Sequence, residues 1–164
     1  MKILVVGGGG REHAIIWKLK QSSLVSKIFA APGNAGISLI AESVDIKADN
    51  INGLADFAKK NNIDLTVVGP ELPLTLGIVD EFNQRDLRIF GPTQLAAEIE
   101  GSKAFAKEFM RKYHIPTAPY QIFSDLTEAT KFVKSAALPV VIKASGLAAG
   151  KGVVICRHPD EAEA

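Results

Sequence analysis

The order in which apolar runs and helix-like stretches follow each other constrains this chain most. The apolar runs occupy residues 3–6, 27–31, 65–68 and 88–90. The helix-like stretches between them occupy residues 11–21, 51–61 and 76–85. Because the apolar residues in each run are continuous, the runs resemble strands that are buried on both faces. The repeated alternation of a strand and a helix predicts an α/β fold in which helices cover both faces of a parallel sheet.

The pattern changes after residue 92, where strands and helices no longer alternate. A short helix over residues 93–99 stops near Gly101, and Ser102 is a suitable N-cap for a second helix that ends near residue 113. The later predicted elements are a helix over 126–135 and strands over 140–143 and 153–156. Two strands and a few helices cannot bury both faces of a sheet. We therefore predict a complete domain over residues 1–101 and the start of a second over residues 102–164.

Composition and charge exclude several classes of protein. The chain has 19 basic and 18 acidic residues and is 47% hydrophobic, which gives material for a core but no electrostatic footprint for nucleic acid. No apolar run reaches the roughly 18–20 residues that cross a bilayer. Cys156 is the single cysteine, so an internal disulfide and a multi-cysteine metal site are excluded. We expect a soluble, cytoplasmic protein that binds neither nucleic acid nor membrane.

A run of four glycines, residues 7–10, lies where the first strand meets the first helix. A dinucleotide fingerprint needs a small residue at its third glycine position, which falls here on Glu12 or His13. It also needs an acid about 20 residues on, and residues 13–41 contain no Asp or Glu. An oxidoreductase with a degenerate fingerprint is therefore disfavoured. The glycines predict either a site for a phosphate-sized anion or merely a tight turn.

Two further loops are predicted at the same edge of the sheet. Residues 32–36 follow the second strand, and residues 69–71 follow the third. Asn34 and Glu71 in these loops could contact sugar hydroxyls or an amine. Taken singly, Asn34 fits turn chemistry and Glu71 fits a solvated loop acid. Together the three loops favour a small phosphorylated ligand.

A second glycine-rich segment, residues 145–152, separates the last two predicted strands. It is not a Walker loop, because only three residues separate Gly146 from Gly150 and a glycine follows Lys151. We predict a flap that folds over a triphosphate with backbone N–H groups and one ammonium. Lys143, at the end of the strand before it, and Lys103, in the first turn of a helix, are either phosphate ligands or solvated surface charges.

A few other side chains have simpler predicted roles. Trp17 falls on the apolar side of its helix and is predicted to be a core residue. Cys156 is predicted to be a small core residue at a strand end. His114 and His158 have no partners at ligand spacing and are predicted to lie at the surface.

Six segments carry a resemblance to a known family. They are MKILVVGGGGREHA (1–14), APGNAG (31–36), VGPELPL (68–74), IFGP (89–92), GSKAF (101–105) and VVIKASGLAAGKGV (140–153). The chain resembles glycinamide ribonucleotide synthetase, the phosphoribosylamine–glycine ligase of purine biosynthesis, which belongs to the ATP-grasp superfamily. The resemblance implies a Rossmann-like pre-ATP-grasp domain followed by the first part of an ATP-grasp domain.

The resemblance also implies a reaction and its cofactors. ATP, glycine and 5-phosphoribosylamine would give glycinamide ribonucleotide, ADP and phosphate through a glycyl phosphate, with Mg²⁺ present. A closing flap suits this chemistry, because an acyl phosphate must be shielded from water. Two alternatives stay open: a non-catalytic module that binds a sugar phosphate or nucleotide, and an ATP-grasp ligase or carboxylase with another substrate.

Site residues follow from the same resemblance. The candidate catalytic residue is Lys151. The candidate ATP-binding residues are Lys103, Lys143, Ser145, Gly146, Leu147, Ala148, Ala149, Gly150, Lys151 and Gly152. The candidate phosphoribosylamine-binding residues are Gly8, Gly9, Gly10, Asn34, Gly36 and Glu71. The family's chain is more than twice this length, and its metal ligands lie in the later part. We therefore expect no metal ligand in residues 1–164 and no turnover by this chain alone; the oligomeric state stays open.

Overall fold

The structure, a computed structural model, describes residues 1–147 and 152–162. The chain divides into two compact units, Met1–Glu98 and Ile99–Ala164. None of the helices in the described part is long and apolar enough to cross a membrane.

The first unit is built on a five-stranded parallel sheet. Its strands are β1 (Lys2–Gly7), β2 (Lys27–Pro32), β3 (Glu42–Ser43), β4 (Leu65–Val68) and β5 (Ile89–Phe90). The strand order is β3-β2-β1-β4-β5, and every neighbouring pair is parallel. The order reverses between β1 and β4, so the topological switch point of the sheet lies at the carboxyl ends of these two strands.

Five helices accompany this sheet. They are α1 (Gly10–Leu19), α2 (Ile51–Lys60), α3 (Glu71–Thr75), α4 (Ile78–Gln84) and α5 (Gln94–Gly101). A short 3₁₀ helix, Ile37–Leu39, follows β2. The predicted helix over 76–85 is shorter than expected, because Gly77 has a φ of 86° and separates α3 from α4.

The core of the first unit lies on both faces of the sheet. Leu4 and Val6 of β1 pack with α2 and α4 on one face, where Phe82 is fully buried. The alternate residues of β1 pack on the other face against α1, which contributes Ile16. This double burial explains the continuous apolar runs and confirms the predicted α/β fold.

Trp17 was wrongly predicted to be a core residue. Its exposed fraction is 60%, whereas that of its neighbour Ile16 is 0%. Successive residues of a helix are turned by about 100° about its axis. Because Ile16 points at the sheet, Trp17 is turned towards solvent.

The second unit holds two helices and a two-stranded sheet. These elements are α6 (Lys103–Lys112), α7 (Leu126–Ser135), β6 (Val140–Lys143) and β7 (Val153–Cys156), and β6 and β7 pair antiparallel. A 3₁₀ helix, Pro159–Ala162, follows. Ser102 caps α6 as predicted, since its Oγ accepts a hydrogen bond from the N–H of Phe105 at 3.2 Å. Cys156 is buried, and His114 and His158 are exposed, as predicted.

Candidate functional site

Three loops meet at the carboxyl edge of the parallel sheet in the first unit. The first joins β1 to α1, the second follows β2, and the third joins β4 to α3. In open α/β sheets, ligands bind outside the carboxyl ends of the strands at the switch point. The predicted phosphoribosylamine-binding residues all lie in or beside these three loops.

The loops after β1 and β2 touch through their backbones. A methyl group on Gly8 would lie 2.3 Å from the carbonyl oxygen of Gly33, so only glycine fits at position 8. The N–H of Gly33 donates to the carbonyl oxygen of Gly7 at 3.1 Å. This close approach fixes the first glycine loop against its neighbour.

Asn34 ties these two loops together with its side chain. Its Nδ2 donates to the carbonyl oxygen of Gly8 at 2.7 Å, and its Oδ1 accepts from the N–H of Ile37 at 2.9 Å. The His13 ring of α1 lies close by, because a methyl group on Gly36 would be 3.0 Å from the ring Cε1. Gly8, Asn34 and Gly36 therefore belong to one cluster, in which Asn34 holds the loops in place.

The first turn of α1 is open above its amino end. Gly9 and Gly10 are exposed, and a methyl group on Gly10 would meet no atom within 4 Å. The N–H groups in the first turn of a helix have no acceptor within the helix and favour a negative ligand. This place has the room and the donors for a phosphate group.

A buried carboxylate lies beneath the glycine loop. Glu12 has an exposed fraction of 4%, and its Oε2 accepts a hydrogen bond from the N–H of Gly9 at 2.5 Å. A methyl group on Gly7 would lie 2.8 Å from its Cγ and Cδ, and one on Gly69 would lie 2.0 Å from its Oε1. Since Gly7 ends β1 and Gly69 follows β4, the Glu12 side chain lies at the switch point.

Arg11 connects α1 to the loop after β4. Its Nη1 donates to the carbonyl oxygen of Gly69 at 2.6 Å and to Oε1 of Glu71 at 2.9 Å. The pKa of Glu71 is lowered from its ordinary value, chiefly because the carboxylate accepts a hydrogen bond from its own backbone N–H. The hydrogen bond from Arg11 lowers it further, while partial burial opposes both effects.

The predicted ATP-binding residues belong to the second unit. The Lys103 Nζ donates to the carbonyl oxygen of Gly146 at 2.8 Å, and the N–H of Ala104 donates to Oγ of Ser145 at 3.4 Å. The start of α6 is thus joined to the start of the glycine-rich segment. Lys143 and Leu147 are exposed and Gly152 is half-buried. Ala148, Ala149, Gly150 and Lys151 lie outside the described residues.

Metal ligands are not grouped in the part of the chain that the structure describes. Residues 1–147 and 152–162 contain no set of three or more His, Cys, Asp or Glu side chains that could hold a metal ion.

A cavity of about 540 Å³ in the first unit lies away from the glycine loops. Its lining comes from β4, from β5 and from the end of α4 and the turn after it, and includes Val67, Asn83, Arg88 and Phe90. None of the predicted site residues lines it. It is thus a competing location for a ligand of the first unit.

Comparison with protein families covers the whole chain. Residues 1–100 match the model of the phosphoribosylglycinamide synthetase N domain, and residues 101–164 match that of its ATP-grasp (A) domain. The chain belongs to the phosphoribosylglycinamide synthetase family. The resemblance seen in the sequence is confirmed.

Relatives in this family agree closely with the chain. The phosphoribosylamine–glycine ligase of Caldanaerobacter subterraneus is 60% identical over 163 residues, which are 99% of this chain and 39% of that protein. The enzyme of the same name from Pasteurella multocida is 52% identical over 166 residues. The chain spans about 39% of the length of these relatives.

Solved structures of this family and of others share the fold. The crystal structure of phosphoribosylamine–glycine ligase from Thermotoga maritima matches 98% of this chain and 37% of its own, with 31% identity and a TM-score of 0.75. N5-carboxyaminoimidazole ribonucleotide synthetase from the same organism is 23% identical with a TM-score of 0.75, which shows the fold alone.

Two residues of the loops at the carboxyl edge of the sheet were not predicted as site residues from the sequence. Both residues were noted as part of a family segment, and Glu12 also because it does not fit a dinucleotide fingerprint, but neither was assigned to the site. The signal for Glu12 is an acid three residues after a glycine N-cap, which is where a capping carboxylate lies. Arg11 gave no such local signal, because its partners lie 58 and 60 residues away in the chain.

Proposed function

We propose that this chain supplies the phosphoribosylamine site and part of the ATP site of a ligase that joins glycine to 5-phosphoribosylamine. The observation that carries the proposal is the open amino end of α1 at the carboxyl edge of the sheet, together with the family match. The product would be glycinamide ribonucleotide, formed through a glycyl phosphate.

The phosphate monoester of the sugar would bind at the first turn of α1. Gly10 leaves space there, and the backbone N–H groups around it can donate to the phosphate oxygens. Gly8, Asn34 and Gly36 would shape the side of the pocket next to β2, where Asn34 positions the loop backbone. An exposed glycine at the helix start lets the phosphate approach the backbone without obstruction.

Glu71 would face the ribosyl amine or a ribose hydroxyl. Its carboxylate is an acceptor, and Arg11 and its own N–H keep it ionised above its lowered pKa. A carboxylate fixed by Arg11 can accept a hydrogen bond from an incoming amine without moving. This assigns the sugar end of the substrate to the loop after β4.

ATP would bind in the second unit. Lys103 and Lys143 would contact phosphates, and residues 145–152, with Leu147 and Gly152 among them, would form the flap over the nucleotide. The Lys103 Nζ already lies at the start of that flap, where it donates to Gly146. Lys151 is the proposed catalytic residue, since an ammonium at the flap would stabilise charge on the transferring phosphoryl group. Bound Mg²⁺ would neutralise phosphate charge there.

The chemistry proceeds in two transfers. A carboxylate oxygen of glycine attacks the γ-phosphorus of ATP, the bond to the β-phosphate oxygen breaks, and ADP leaves. The amine nitrogen of phosphoribosylamine then attacks the acyl carbon, phosphate leaves, and the nitrogen releases a proton. The flap excludes water between the two steps, because water would compete with the amine for the acyl phosphate.

Ribose 5-phosphate, measured by calorimetry, tests the sugar-phosphate part of this proposal. We expect the chain to bind it and Gly10→Val to lose binding, because the new side chain fills the open position at the helix start. Gly10→Val meets no protein atom nearby, and replacing a helical glycine removes backbone entropy from the unfolded chain, so the fold should be kept.

A matched control is Ala14→Val, which adds a similar bulk at an exposed position of the same helix. It should bind ribose 5-phosphate like the unchanged chain. Binding that survives in a folded Gly10→Val variant, or that is lost equally in Ala14→Val, would place the ligand elsewhere.

A further inference from the structure

We propose that Glu12 is the specificity-determining residue that restricts the glycine loop to phosphate monoesters and excludes dinucleotides. It would act by position: its buried carboxylate fills the switch-point crevice between the end of β1 and the loop after β4. The part of this inference that concerns phosphate monoesters rests on the proposed function. It goes beyond that function because it assigns the exclusion of a ligand class to one side chain.

The Glu12 side chain occupies the volume of the crevice. Methyl groups on Gly7 and Gly69 would lie 2.8 Å and 2.0 Å from Glu12 atoms, so the carboxylate is held between the glycine that ends β1 and the glycine that follows β4. In a dinucleotide-binding sheet, the third glycine of the fingerprint stands at this position and keeps the helix close to the strand. The pyrophosphate of the dinucleotide crosses the same crevice.

Glu12 also takes up one of the backbone N–H donors of the glycine loop. The N–H of Gly9, which could otherwise face a ligand, donates to Oε2 of Glu12 at 2.5 Å. The open position lies one residue further on, at Gly10. The donors left for a ligand at the helix are therefore those of its first turn, which can hold one phosphate group.

The loop after β4 closes the crevice on the other side of Glu12. Arg11 Nη1 holds the carbonyl oxygen of Gly69 at 2.6 Å, so the loop after β4 stays against the Glu12 side chain. The volume of the Glu12 side chain then acts against a pyrophosphate.

The test compares two ligands on one ¹⁵N-labelled chain. Ribose 5-phosphate is the monoester, ADP-ribose is the pyrophosphate diester, and the amide signals of Gly10 and Gly69 report binding in the first unit only. Glu12→Gly should shift the affinity ratio towards ADP-ribose by about tenfold or more. Glu12→Gln keeps the volume and an oxygen acceptor, and should retain the ratio of the unchanged chain.

Ile16→Ala is the matched control for lost stability. Ile16 is on the same helix and fully buried, but it belongs to the core cluster beneath α1 rather than to the loop. It should leave the ligand ratio unchanged. An unchanged ratio in Glu12→Gly, or an equal shift in Ile16→Ala, would overturn the inference.

The Gly69→Ala substitution adds a methyl group to the same crevice from the loop after β4. Its methyl group would take the place of the Glu12 carboxylate and keep the crevice filled, so it should lower the denaturation midpoint without shifting the ratio towards ADP-ribose. In the Glu12→Gly background that loss of midpoint should shrink, because the clash is gone. If Glu12→Gly does not fold, the folded Glu12→Ala variant takes its place, and an unchanged ratio there overturns the inference.

The outcomes separate this inference from the proposed function. If the unchanged chain does not bind ribose 5-phosphate, the proposed monoester site fails. The exclusion is then judged on ADP-ribose alone: binding gained in Glu12→Gly supports the role of Glu12, and no gain contradicts it.

Discussion

The two units of this chain differ in how they bury their strands. In β1 of the first unit every residue after Lys2 is buried, whereas β7 of the second unit has three exposed residues followed by the buried Cys156. The buried apolar residues that the structure describes in the second unit are Ala106, Val133 and Cys156. Stabilising burial is therefore concentrated in the first unit, since apolar area removed from water is the main favourable contribution to folding.

The same difference extends to the two candidate sites. The loops of the first unit are fixed by backbone contacts, by Asn34 and by the buried Glu12. The glycine-rich segment of the second unit is joined to α6 through the Lys103 ammonium and Ser145. A preorganised pocket suits a substrate that must be held in one orientation, whereas the action of the glycine-rich segment as a flap over a nucleotide stays a proposal.

Truncation of a core side chain in the first unit should have the largest effect of the changes that test this difference in burial. Phe82→Ala removes a fully buried ring between α4 and the sheet and should lower the free energy of unfolding of the first unit by about 3–5 kcal/mol. Val133→Ala in α7 should leave that value unchanged. Hydrogen exchange of the β1 amides measures it, and equal losses in both variants would mean that the units do not unfold independently.

Removal of one lysine ammonium tests the proposed nucleotide site of the second unit. Lys103→Met should weaken ATP binding by about tenfold, because one ammonium is removed from the start of the flap. Lys107→Met is the control on the same helix, since the Lys107 Nζ donates to Oγ1 of Thr117 at 2.6 Å. Calorimetry with ATP compares them, and similar affinities for the two variants would argue against Lys103.

The Arg11–Glu71 pair should give the smallest effect. Because the pKa of Glu71 in the folded chain lies below its ordinary value of 4.5, the carboxylate adds stability above pH 4.5. That stability is lost as the pH falls through the lower, folded pKa. Glu71→Gln should remove this part of the acid dependence, measured as the free energy of unfolding against pH.

Arg11→Met separates the two causes of the Glu71 pKa shift. NMR titration should show the pKa of Glu71 rising only part of the way to its ordinary value, because the larger cause is the hydrogen bond from its own N–H. A full return to the ordinary value would show that Arg11 alone sets it.

Local signals in the sequence were enough to predict much of the fold. The Ser102 cap and the strands buried on both faces follow from residues next to each other in the chain. Helix α3 was missed because Pro73 interrupts its pattern, although proline is tolerated in a first turn. β3 has two residues, too few for any periodicity.

Contacts between distant residues account for what the sequence did not reveal at the site. The glycine loop was predicted, but not that Gly7 and Gly69 leave room for Glu12, since that depends on two strands meeting. The partner of Glu71 was likewise hidden, because Arg11 reaches it from another element. Trp17 shows the same limit: spacing identifies an apolar stripe, but packing decides which of its residues is covered.

The central claim is that the open amino end of α1 binds a ribosyl phosphate monoester. Titrating the ¹⁵N-labelled chain with ribose 5-phosphate and mapping the amide shifts tests it most directly. We predict that the largest shifts fall on Gly10 and Arg11. Shifts that centre instead on the cavity lined by Asn83 and Arg88, or no shifts at all, would contradict the account.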